Sequence, residues 1–373
     1  MSFASINIIQ ERKMKKRIIS IALIITLIFA TLCGCSSKNN KTCEYADQYI
    51  ELHLHLDGAI TVDIAKKLAD IQNITLPCDT DEELEKLLTV PSDCTSLNDF
   101  LECFELPVSL MQTYDGLKEA AYLVAEDMKN QGVIYAEIRW APQLHTTQGM
   151  TQEEAVQAVL DGLAKSELKC NVILCCMRGE GNEAENLETL EIAKNMLVED
   201  GGVVAVDIAG AEALYPTSDY KELFERAKEY GIPFTIHAGE ADGAESVRLA
   251  VEYGAKRIGH GVRSYEDEEV LTLLKENGIF LEMCPTSNRQ TFAIENMDEY
   301  PFIDYLNMGI RVTLNTDDPA IEGTTLADEF RYMEEKFGLT AEQERIILAN
   351  SVDAAFTSDE VKNELRIKLG LAE

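Results

Sequence analysis

The chain has few basic side chains for its size and no cysteine pair with the spacing of a zinc or thiol-redox site. It carries 33 lysines and arginines against 66 aspartates and glutamates, so its formal net charge at pH 7 is −33. Binding to nucleic-acid phosphates needs clustered lysine and arginine, and we therefore expect no nucleic-acid partner. None of its ten cysteines forms a Cys-x-x-Cys pair. Cys175 and Cys176 lie in an apolar run, and we predict that they are core residues.

The N-terminal apolar run, Ile18–Leu32, is too short for a helix that spans a membrane, which needs about 18 or more apolar residues. A basic segment, Met14-Lys-Lys-Arg17, precedes it and a junction of small residues follows it, a combination typical of a secretory signal. The sequence Leu32-Cys-Gly-Cys35 resembles a bacterial lipobox, in which the final cysteine is lipidated. We therefore predict a lipoprotein-type signal peptide over residues 1–34, with Met14 as a candidate start.

These features predict an exported lipoprotein on the outer face of a bacterial cell membrane. An acidic body is repelled by an anionic membrane surface, so attachment would depend on lipid at Cys35 alone. Residues 35–47 are polar and predict a tether, which leaves residues 48–373 for one folded domain. No oligomeric state is predicted.

The rest of the sequence has no internal repeat, and no Gly-x-Gly-x-x-Gly turn follows its first predicted strand. Short apolar, β-branched runs alternate with longer amphipathic segments, a pattern typical of parallel βα units. The eight predicted strands are Tyr49–Leu56, Val133–Trp140, Cys170–Met177, Val203–Ala209, Pro233–His237, Arg257–His260, Ile279–Cys284 and Arg311–Asn315. Because eight such strands close a barrel, we predict an α/β fold of the TIM-type (β/α)8 class. An open doubly wound sheet is the alternative.

One helical insertion interrupts the alternation, because residues 60–130 between the first two strands are too long for a single crossover. Within this insertion Leu97, Phe100, Leu101 and Phe104 recur at helical spacing. Such a stripe indicates ordinary helix packing or, because it follows the first barrel strand, an apolar lid over a pocket.

Histidine is scarce, yet four of the five histidines lie in short motifs at predicted strands. His53 and His55 share one face of the first strand, because side chains alternate along a strand. His237, His260 and Asp317 each end a later strand, and catalytic residues of TIM-type barrels come from the ends of several strands. We therefore expect these side chains to meet at one catalytic site.

Three imidazole nitrogens and one carboxylate oxygen suit one Zn²⁺ per chain and leave room for water. We assign these ligands to His53, His55, His237 and Asp317. Ligand type alone also permits Fe²⁺, Co²⁺ or Mn²⁺. A bound divalent ion lowers the pKa of water from about 15.7 to about 7, and His260 and Glu240 remain as titratable groups that can move protons. The residues thus indicate metal-assisted hydrolysis.

A set of motifs extends this pattern: His53-Leu-His-Leu-Asp-Gly58, Phe100-Leu-Glu-Cys-Phe104, Ala136-Glu-Ile-Arg-Trp-Ala-Pro142, Cys175-Cys-Met-Arg178, Asp207-Ile-Ala-Gly210, His237-Ala-Gly-Glu240, Ile258-Gly-His-Gly261, Cys284-Pro-Thr-Ser-Asn288 and Asn315-Thr-Asp-Asp-Pro319. In this order, over about residues 48–360, they resemble the adenosine/AMP deaminase family of the metal-dependent amidohydrolase superfamily. The resemblance implies zinc-dependent deamination of adenosine, and of 2′-deoxyadenosine, to inosine and ammonia. With export, it implies a role in extracellular purine nucleoside salvage.

The resemblance also implies roles for individual residues. The four assigned ligands would bind zinc, and His55 would also contact the substrate. Glu240 would share a proton with purine N1, which makes C6 electrophilic, and His260 would orient or deprotonate the zinc-bound water. Asp318 would hold the attacking hydroxyl or contact N7.

Further residues would hold the substrate. The backbone N–H of Gly210 would donate to purine N3, and Asp57 would bind the ribose 5′-hydroxyl. The hydrophobic gate over the purine would consist of Leu97, Phe100, Leu101 and Phe104. The family usually has an acidic residue directly after this glycine, whereas this chain has Ala211 and then Glu212.

Three alternatives compete with adenosine deamination. A related deaminase would act on adenine or a modified adenosine, but Asp57 favours adenosine, because relatives that take the free base tend to have glutamate there. A nucleoside-binding lipoprotein that feeds a transporter would need neither a metal ligand set nor Glu240. The same holds for a docking protein whose catalysis is incidental.

Overall fold

Eight parallel strands form the centre of the computed structural model, which describes residues 45–91, Phe100 and 103–372. The strands are β1 (Tyr49–His55), β2 (Val133–Trp140), β3 (Lys169–Met177), β4 (Val203–Ala209), β5 (Thr235–Ala238), β6 (Arg257–His260), β7 (Phe280–Met283) and β8 (Arg311–Leu314). Each lies where the sequence predicts a strand, with ends that differ by at most two residues. The difference is largest at β5, where Pro233 has no N–H to give to a ladder.

The strands close into a barrel. β1 to β4 pair in order, and so do β5 to β8. Between the two sets, the N–H of Val206 in β4 donates to the carbonyl of Pro233 at 3.0 Å. On the other side, the N–H of His55 donates to the carbonyl of Asp317, and the N–H of Asp317 donates to the carbonyl of His53, both at 2.8 Å. The predicted (β/α)8 barrel is therefore confirmed, and the open sheet is not.

Helices surround the barrel, and the apolar core lies between the strands and these helices. The helices in the described part of the chain are Val62–Gln72, Asp81–Leu88, Glu105–Leu110, Tyr114–Asn130, Gln152–Leu163, Glu183–Met196, Lys221–Glu229, Ala244–Tyr253, Glu268–Asn277, Pro285–Gln290, Phe302–Met308, Pro319–Glu322, Leu326–Phe337, Ala341–Ala354 and Asp359–Lys368. Short 3₁₀ turns lie at Asp57–Ala59, Pro142–His145, Thr217–Tyr220, Val262–Glu266 and Met297–Glu299. Threonine begins many helices; the Thr151 hydroxyl, for example, accepts a hydrogen bond from the N–H of Glu154.

The predicted helical insertion lies between β1 and β2 and contacts the segment that follows β8. The N–H of Val90 donates to the carbonyl of Ile321 at 2.8 Å. Val90, Phe100 and Ile321 are buried in one small apolar cluster, with Phe104 packed against it. Two of the four predicted lid residues, Phe100 and Phe104, thus lie at this contact. The other two, Leu97 and Leu101, lie outside the described residues.

Contacts to the barrel begin within the segment that the sequence assigns to a tether. The N–H of Ala46 donates to the Glu344 carboxylate at 2.9 Å, and the described residues from Tyr45 onward form one compact unit. The predicted signal peptide and Cys35 lie outside the described residues. Across residues 45–91 and 103–372, no helix combines the length and the apolar character required to cross a bilayer.

Candidate active site

Strand alternation places the two histidines of β1 inside the barrel. Leu52 and Leu54 point outward into apolar clusters, whereas His53 is fully buried inside and His55 lines a cavity at the carboxyl end of the strand. The other predicted site residues come from β5, from β6 and from the segment after β8. These residues are His237, His260 and Asp317.

The backbone of two of these residues is in the left-handed region. His260 has φ 60° and Asp317 has φ 74°. This conformation costs free energy for residues other than glycine and concentrates at functional sites. His260 ends β6 and Asp317 follows β8, and both residues line the cavity at the barrel mouth.

At the carboxyl ends of these strands, buried side chains lie close enough together to hold a metal ion. One nitrogen or carboxylate oxygen from each of His53, His237, His260 and Asp317 lies within 4.8 Å of the others. Nε2 of His55 adds a further nitrogen, 3.3 Å from Nε2 of His237 and 3.4 Å from Oδ1 of Asp317. The structure thus brings together all four ligands predicted from the sequence, with His260 beside them.

His260 and His55 are the two candidates for the fourth ligand beside His53, His237 and Asp317. The set whose ligand atoms all lie within 4.8 Å of one another contains His260 and not His55, whereas His55 lies closer to Asp317 than His260 does. Oδ1 of Asp317 lies 3.2 Å from Nε2 of His53 and 3.4 Å from Nε2 of His55. Ligand atoms about 2.0–2.1 Å from Zn²⁺ are about 3.3–3.4 Å apart in a tetrahedron. His260 instead faces Oδ2 of Asp317, at 3.7 Å. Nε2 of His53 is buried without a hydrogen-bond partner of suitable geometry, which is the state of an atom that would bind a metal.

Two buried carboxylates lie on the far side of two of these imidazoles. Nδ1 of His53 lies 2.8 Å from Glu282, and Nδ1 of His237 lies 2.8 Å from Asp207. Arg139 donates to both carboxylates, at 2.6 Å and 2.7 Å. Such outer contacts fix the tautomer and the orientation of histidines that bind metals.

Burial and charge set the protonation of the metal-facing groups. Burial lowers the pKa of His53 and holds that of His55 well below its usual value, which favours the neutral ring, the form that binds a metal. Burial opposes charge on His237, but the neighbouring Asp207 carboxylate raises its pKa. The pKa of Asp317 lies well below its usual value despite burial, because His53 and His260 favour its ionised form.

Glu240 follows β5 and lies beside the metal-facing cluster. Its Oε2 lies 3.6 Å from Nε2 of His260, and its Oε1 accepts a hydrogen bond from the Thr291 hydroxyl at 3.0 Å. Nδ1 of His260 lies 3.1 Å from the Asn288 amide. The two groups predicted to move protons are therefore adjacent, and each has a partner that restrains it.

Asp318 and Asp57 are buried carboxyl groups with an oxygen that lacks a partner among the described residues. Burial raises the pKa of Asp57 to about 6. Burial and the charge of Asp317 raise the pKa of Asp318 well above its usual value. A Cβ at Gly58 would lie 1.8 Å from Oδ1 of Asp318, so this position of the motif requires glycine. The two carboxyl groups are available to a polar ligand.

A cavity of about 570 Å³ joins these groups at the carboxyl ends of the strands. The predicted site residues that line it are His55, Asp57, Phe100, Phe104, Gly210, His237, Glu240, His260, Asp317 and Asp318. Apolar side chains, including Leu144 and Leu214, complete its wall. A second cavity of about 580 Å³, which borders helix Val62–Gln72, contains no histidine. The first cavity is therefore the candidate active site.

Several residues of the site had no role predicted from the sequence. Arg139 and Asp207 lie in motifs that carry the family resemblance, but their contacts depend on neighbouring strands. Glu282 had a local signal, because it is a charged residue within the apolar strand Phe-Leu-Glu-Met. Phe292 at the cavity wall has φ 57° and is half exposed, and nothing in the sequence around it predicts that conformation.

A closed (β/α)8 barrel with a histidine and aspartate cluster at the carboxyl ends of its strands defines a metal-dependent hydrolase of the amidohydrolase type. The sequence model of the adenosine deaminase family matches residues 49–370. The chain belongs to the adenosine deaminase family. The family and the fold predicted from the sequence are both confirmed.

Curated relatives match over nearly their full length. An adenosine deaminase of Haemophilus ducreyi is 44% identical over 322 residues, which cover 85% of this chain and 94% of the relative. An adenosine deaminase of Clostridium perfringens is 39% identical over 325 residues, with 86% and 97% covered.

Solved structures share the fold. Adenine deaminase from Arthrobacter aurescens has a TM-score of 0.78 at 29% identity and covers 87% of this chain and 98% of its own. The N6-methyl-AMP deaminase of Arabidopsis thaliana has a TM-score of 0.74 at 27% identity, with 87% and 97% covered. An amidohydrolase from Burkholderia ambifaria with bound Zn has a TM-score of 0.76 at 21% identity, with 89% and 94% covered, a likeness that concerns the fold.

Proposed function

We propose that this chain removes the 6-amino group of adenosine, and of 2′-deoxyadenosine, by hydrolysis and releases inosine and ammonia. The observation that carries the proposal is the meeting, in one cavity, of the metal-facing cluster with Glu240 and Asp318. Curated relatives named adenosine deaminase, at 39–44% identity, support adenosine as the substrate.

One zinc ion per chain would be held by four ligands. The proposed ligand atoms are Nε2 of His53, Nε2 of His55, Nε2 of His237 and Oδ1 of Asp317. Three of the separations between these atoms, at 3.2–3.4 Å, support this set. When bound, such an ion supplies Lewis acidity that makes water nucleophilic at neutral pH.

The residues around the cluster would carry the protons of the reaction. Water adds its oxygen to C6, the amino group leaves as ammonia, and C6 becomes a carbonyl. One proton of the water ends on N1 and the other on the ammonia. Glu240 would supply the proton at N1. His260, 3.6 Å from Glu240 and 3.7 Å from Asp317, would orient the attacking water and pass on its second proton.

Substrate binding would use groups on several loops. Gly210, with φ 104°, would present its N–H to N3, in a conformation that favours glycine. Asp318 would hold the attacking hydroxyl or contact N7, and Asp57 would bind the 5′-hydroxyl. The insertion residues Phe100 and Phe104 line the cavity and would cover the purine, together with the predicted Leu97 and Leu101.

A related aminopurine deaminase is the second candidate function, because adenine and N6-methyl-AMP deaminases share the fold at 27–29% identity. A nucleoside-binding protein would have no use for the buried cluster. The test is a substrate panel of adenosine, 2′-deoxyadenosine, adenine and N6-methyl-AMP, with products identified by chromatography. We expect the highest kcat/KM for adenosine, with inosine and ammonia formed in equal amounts. A higher kcat/KM for adenine or N6-methyl-AMP would mean that this compound, and not adenosine, is the substrate.

We also propose that the chain acts outside the cell as a lipoprotein, in salvage of extracellular purine nucleosides. The support is the sequence alone, which predicts a signal peptide over residues 1–34, a tether over 35–47 and the folded domain from residue 48. Labelling of cells with a lipid precursor should mark the wild type and not Cys35→Ser, with Cys43→Ser as the matched control. Unlabelled protein of mature size would mean ordinary secretion instead.

A further inference from the structure

We propose that Glu212 is a positioning residue that holds the loop bearing Glu240 in register with Gly210, and so sets the spacing of the two groups that contact purine N1 and N3. The inference rests on the proposed function. Glu212 stands two residues after Gly210 in the segment after β4, whereas Glu240 follows β5. A direct link between these two loops therefore passes through the Glu212 side chain.

The Glu212 carboxylate binds the whole turn that follows β5. Four successive backbone N–H groups donate to it, those of Gly239 at 2.8 Å, Glu240 at 3.0 Å, Ala241 at 2.8 Å and Asp242 at 3.1 Å. The hydroxyl of Ser246, in the helix that follows, donates to it at 2.6 Å. Successive N–H groups that point to one place form a nest for an anion, and here the anion is a side chain of the neighbouring loop.

The surroundings keep Glu212 ionised and fixed. The residue is 97% buried, with 3% of its surface exposed. Burial opposes ionisation, but the Ser246 hydrogen bond and the charge of Arg178 lower the pKa of Glu212 below its usual value. Arg178 itself donates to the carbonyl of His237 at 2.6 Å and to the Thr217 hydroxyl at 3.1 Å. The buried Glu212 carboxylate, together with Arg178, therefore joins the segment after β4 to the segment after β5.

This link between the two loops has a consequence for substrate recognition. N1 and N3 flank C2 of the purine, so their partners must stand at a fixed separation on one edge of the ring. Gly210 is a backbone donor, and Glu240 reaches N1 from a separate loop. Thr291 restrains the tip of Glu240, while Glu212 restrains its backbone. Ala211 carries no carboxylate, so within the segment after β4 this anchor comes from Glu212.

The test compares Glu212→Gln with a matched variant. Either orientation of a glutamine amide turns N–H groups toward backbone N–H groups that now donate to a carboxylate, so the loop should loosen. Glu344→Gln is the control, because Glu344 is also buried and accepts a backbone N–H, that of Ala46, and does not line the cavity. Readouts are zinc content, hydrogen exchange of amides 239–242, and kcat and KM for adenosine and 3-deazaadenosine, which lacks N3.

We expect Glu212→Gln to keep zinc, to lose exchange protection at 239–242 and to lose about 10²-fold in kcat/KM for adenosine, the size of effect known for a misplaced catalytic group. The preference of the wild type for adenosine over 3-deazaadenosine should shrink in this variant, because Gly210 no longer meets N3 in register. Glu212→Asp keeps the charge and should recover part of the loss.

Three results would contradict the proposed role of Glu212. An unchanged preference for adenosine over 3-deazaadenosine would overturn the role in spacing. Unchanged exchange at 239–242 would overturn the anchor itself. A loss in Glu344→Gln as large as that in Glu212→Gln would show a general effect on stability. Wild-type protein that does not convert adenosine would instead contradict the proposed function, and exchange at 239–242 would still decide whether Glu212 anchors the loop.

Discussion

Arg139 and Glu282 form a fully buried ion pair with 2.6 Å between Nη2 and Oε2, and the same carboxylate oxygen lies 2.8 Å from Nδ1 of His53. Arg139 and Arg257 hold the pKa of Glu282 well below its usual value, although burial opposes its ionisation. An ionised acceptor therefore faces Nδ1 and leaves Nε2 of His53 available to a metal ion. The Arg139–Glu282 pair in the barrel interior thus orients an imidazole that could bind the metal.

The variant Arg139→Lys should weaken metal binding about 10- to 100-fold, the usual cost of losing an outer contact to a metal-binding histidine. Lysine cannot bridge Asp207 and Glu282 with the planar fork of arginine. Competition with a chromogenic chelator measures the affinity. Arg331→Lys is the matched control, because Arg331 forms an exposed pair with Asp328 at 2.8 Å. Equal affinities in Arg139→Lys and the wild type would remove this role.

His55 and His260 should differ in what they do for the metal. Nε2 of His55 lies 3.4 Å from Oδ1 of Asp317 and 3.3 Å from Nε2 of His237, whereas Nε2 of His260 lies 3.7 Å from the other oxygen of Asp317. We expect His55→Ala to lose zinc on gel filtration and His260→Ala to retain it with little turnover. Zinc measured by mass spectrometry decides; retention by His55→Ala together with loss by His260→Ala would reverse the ligand assignment.

Glu240→Gln should keep zinc and lose about 10²- to 10⁴-fold in kcat, the usual contribution of a positioned acid or base. The substitution keeps the shape of the side chain and removes its proton transfer. Glu245→Gln, whose side chain is 70% exposed in the next helix, should behave as wild type. Near-normal kcat in Glu240→Gln would rule out the proton transfer at N1.

Stability should depend on pH through Glu329, which accepts hydrogen bonds from the N–H of Thr286 and the Thr324 hydroxyl. Burial raises its pKa to about 7. The folded state then holds a proton that the unfolded chain releases at lower pH, so stability falls as pH rises from about 4.5 to about 7. Glutamine does not titrate, so the Glu329→Gln variant does not lose stability in this way as the pH rises.

The free energy of unfolding of Glu329→Gln, relative to the wild type, should therefore rise by roughly 2–3 kcal/mol between pH 5 and pH 8. Urea unfolding at the two pH values measures it. Glu154→Gln, at an exposed helix start, is the control. A difference between variant and wild type that stays constant with pH would mean that Glu329 has an ordinary pKa.

The fold and much of the site follow from the sequence because their signals are local. Strand alternation alone places His53 and His55 on one face, and the eight apolar runs give the barrel. Arg139, Glu282 and Glu212 gained their roles only in the structure, because each acts on a residue of another strand or loop. Periodicity reports which face a side chain is on, but it does not report which side chain of another strand it meets.

The left-handed backbone of the site was also beyond sequence reasoning. His260, Phe292 and Asp317 all have positive φ angles, and none is a residue for which such a conformation is the default. Hydrogen bonds with β1 hold the backbone of Asp317, and His260 pairs with Ala238 of β5. Local preference alone would have predicted otherwise.

The most direct test of the central claim follows the absorbance change from adenosine to inosine with the full chain, first stripped of metal and then supplied with one equivalent of Zn²⁺. The account predicts that stripping abolishes turnover and that zinc restores it, with zinc bound at one ion per chain. Full turnover by stripped protein, or no turnover by protein that holds one zinc ion, would contradict it.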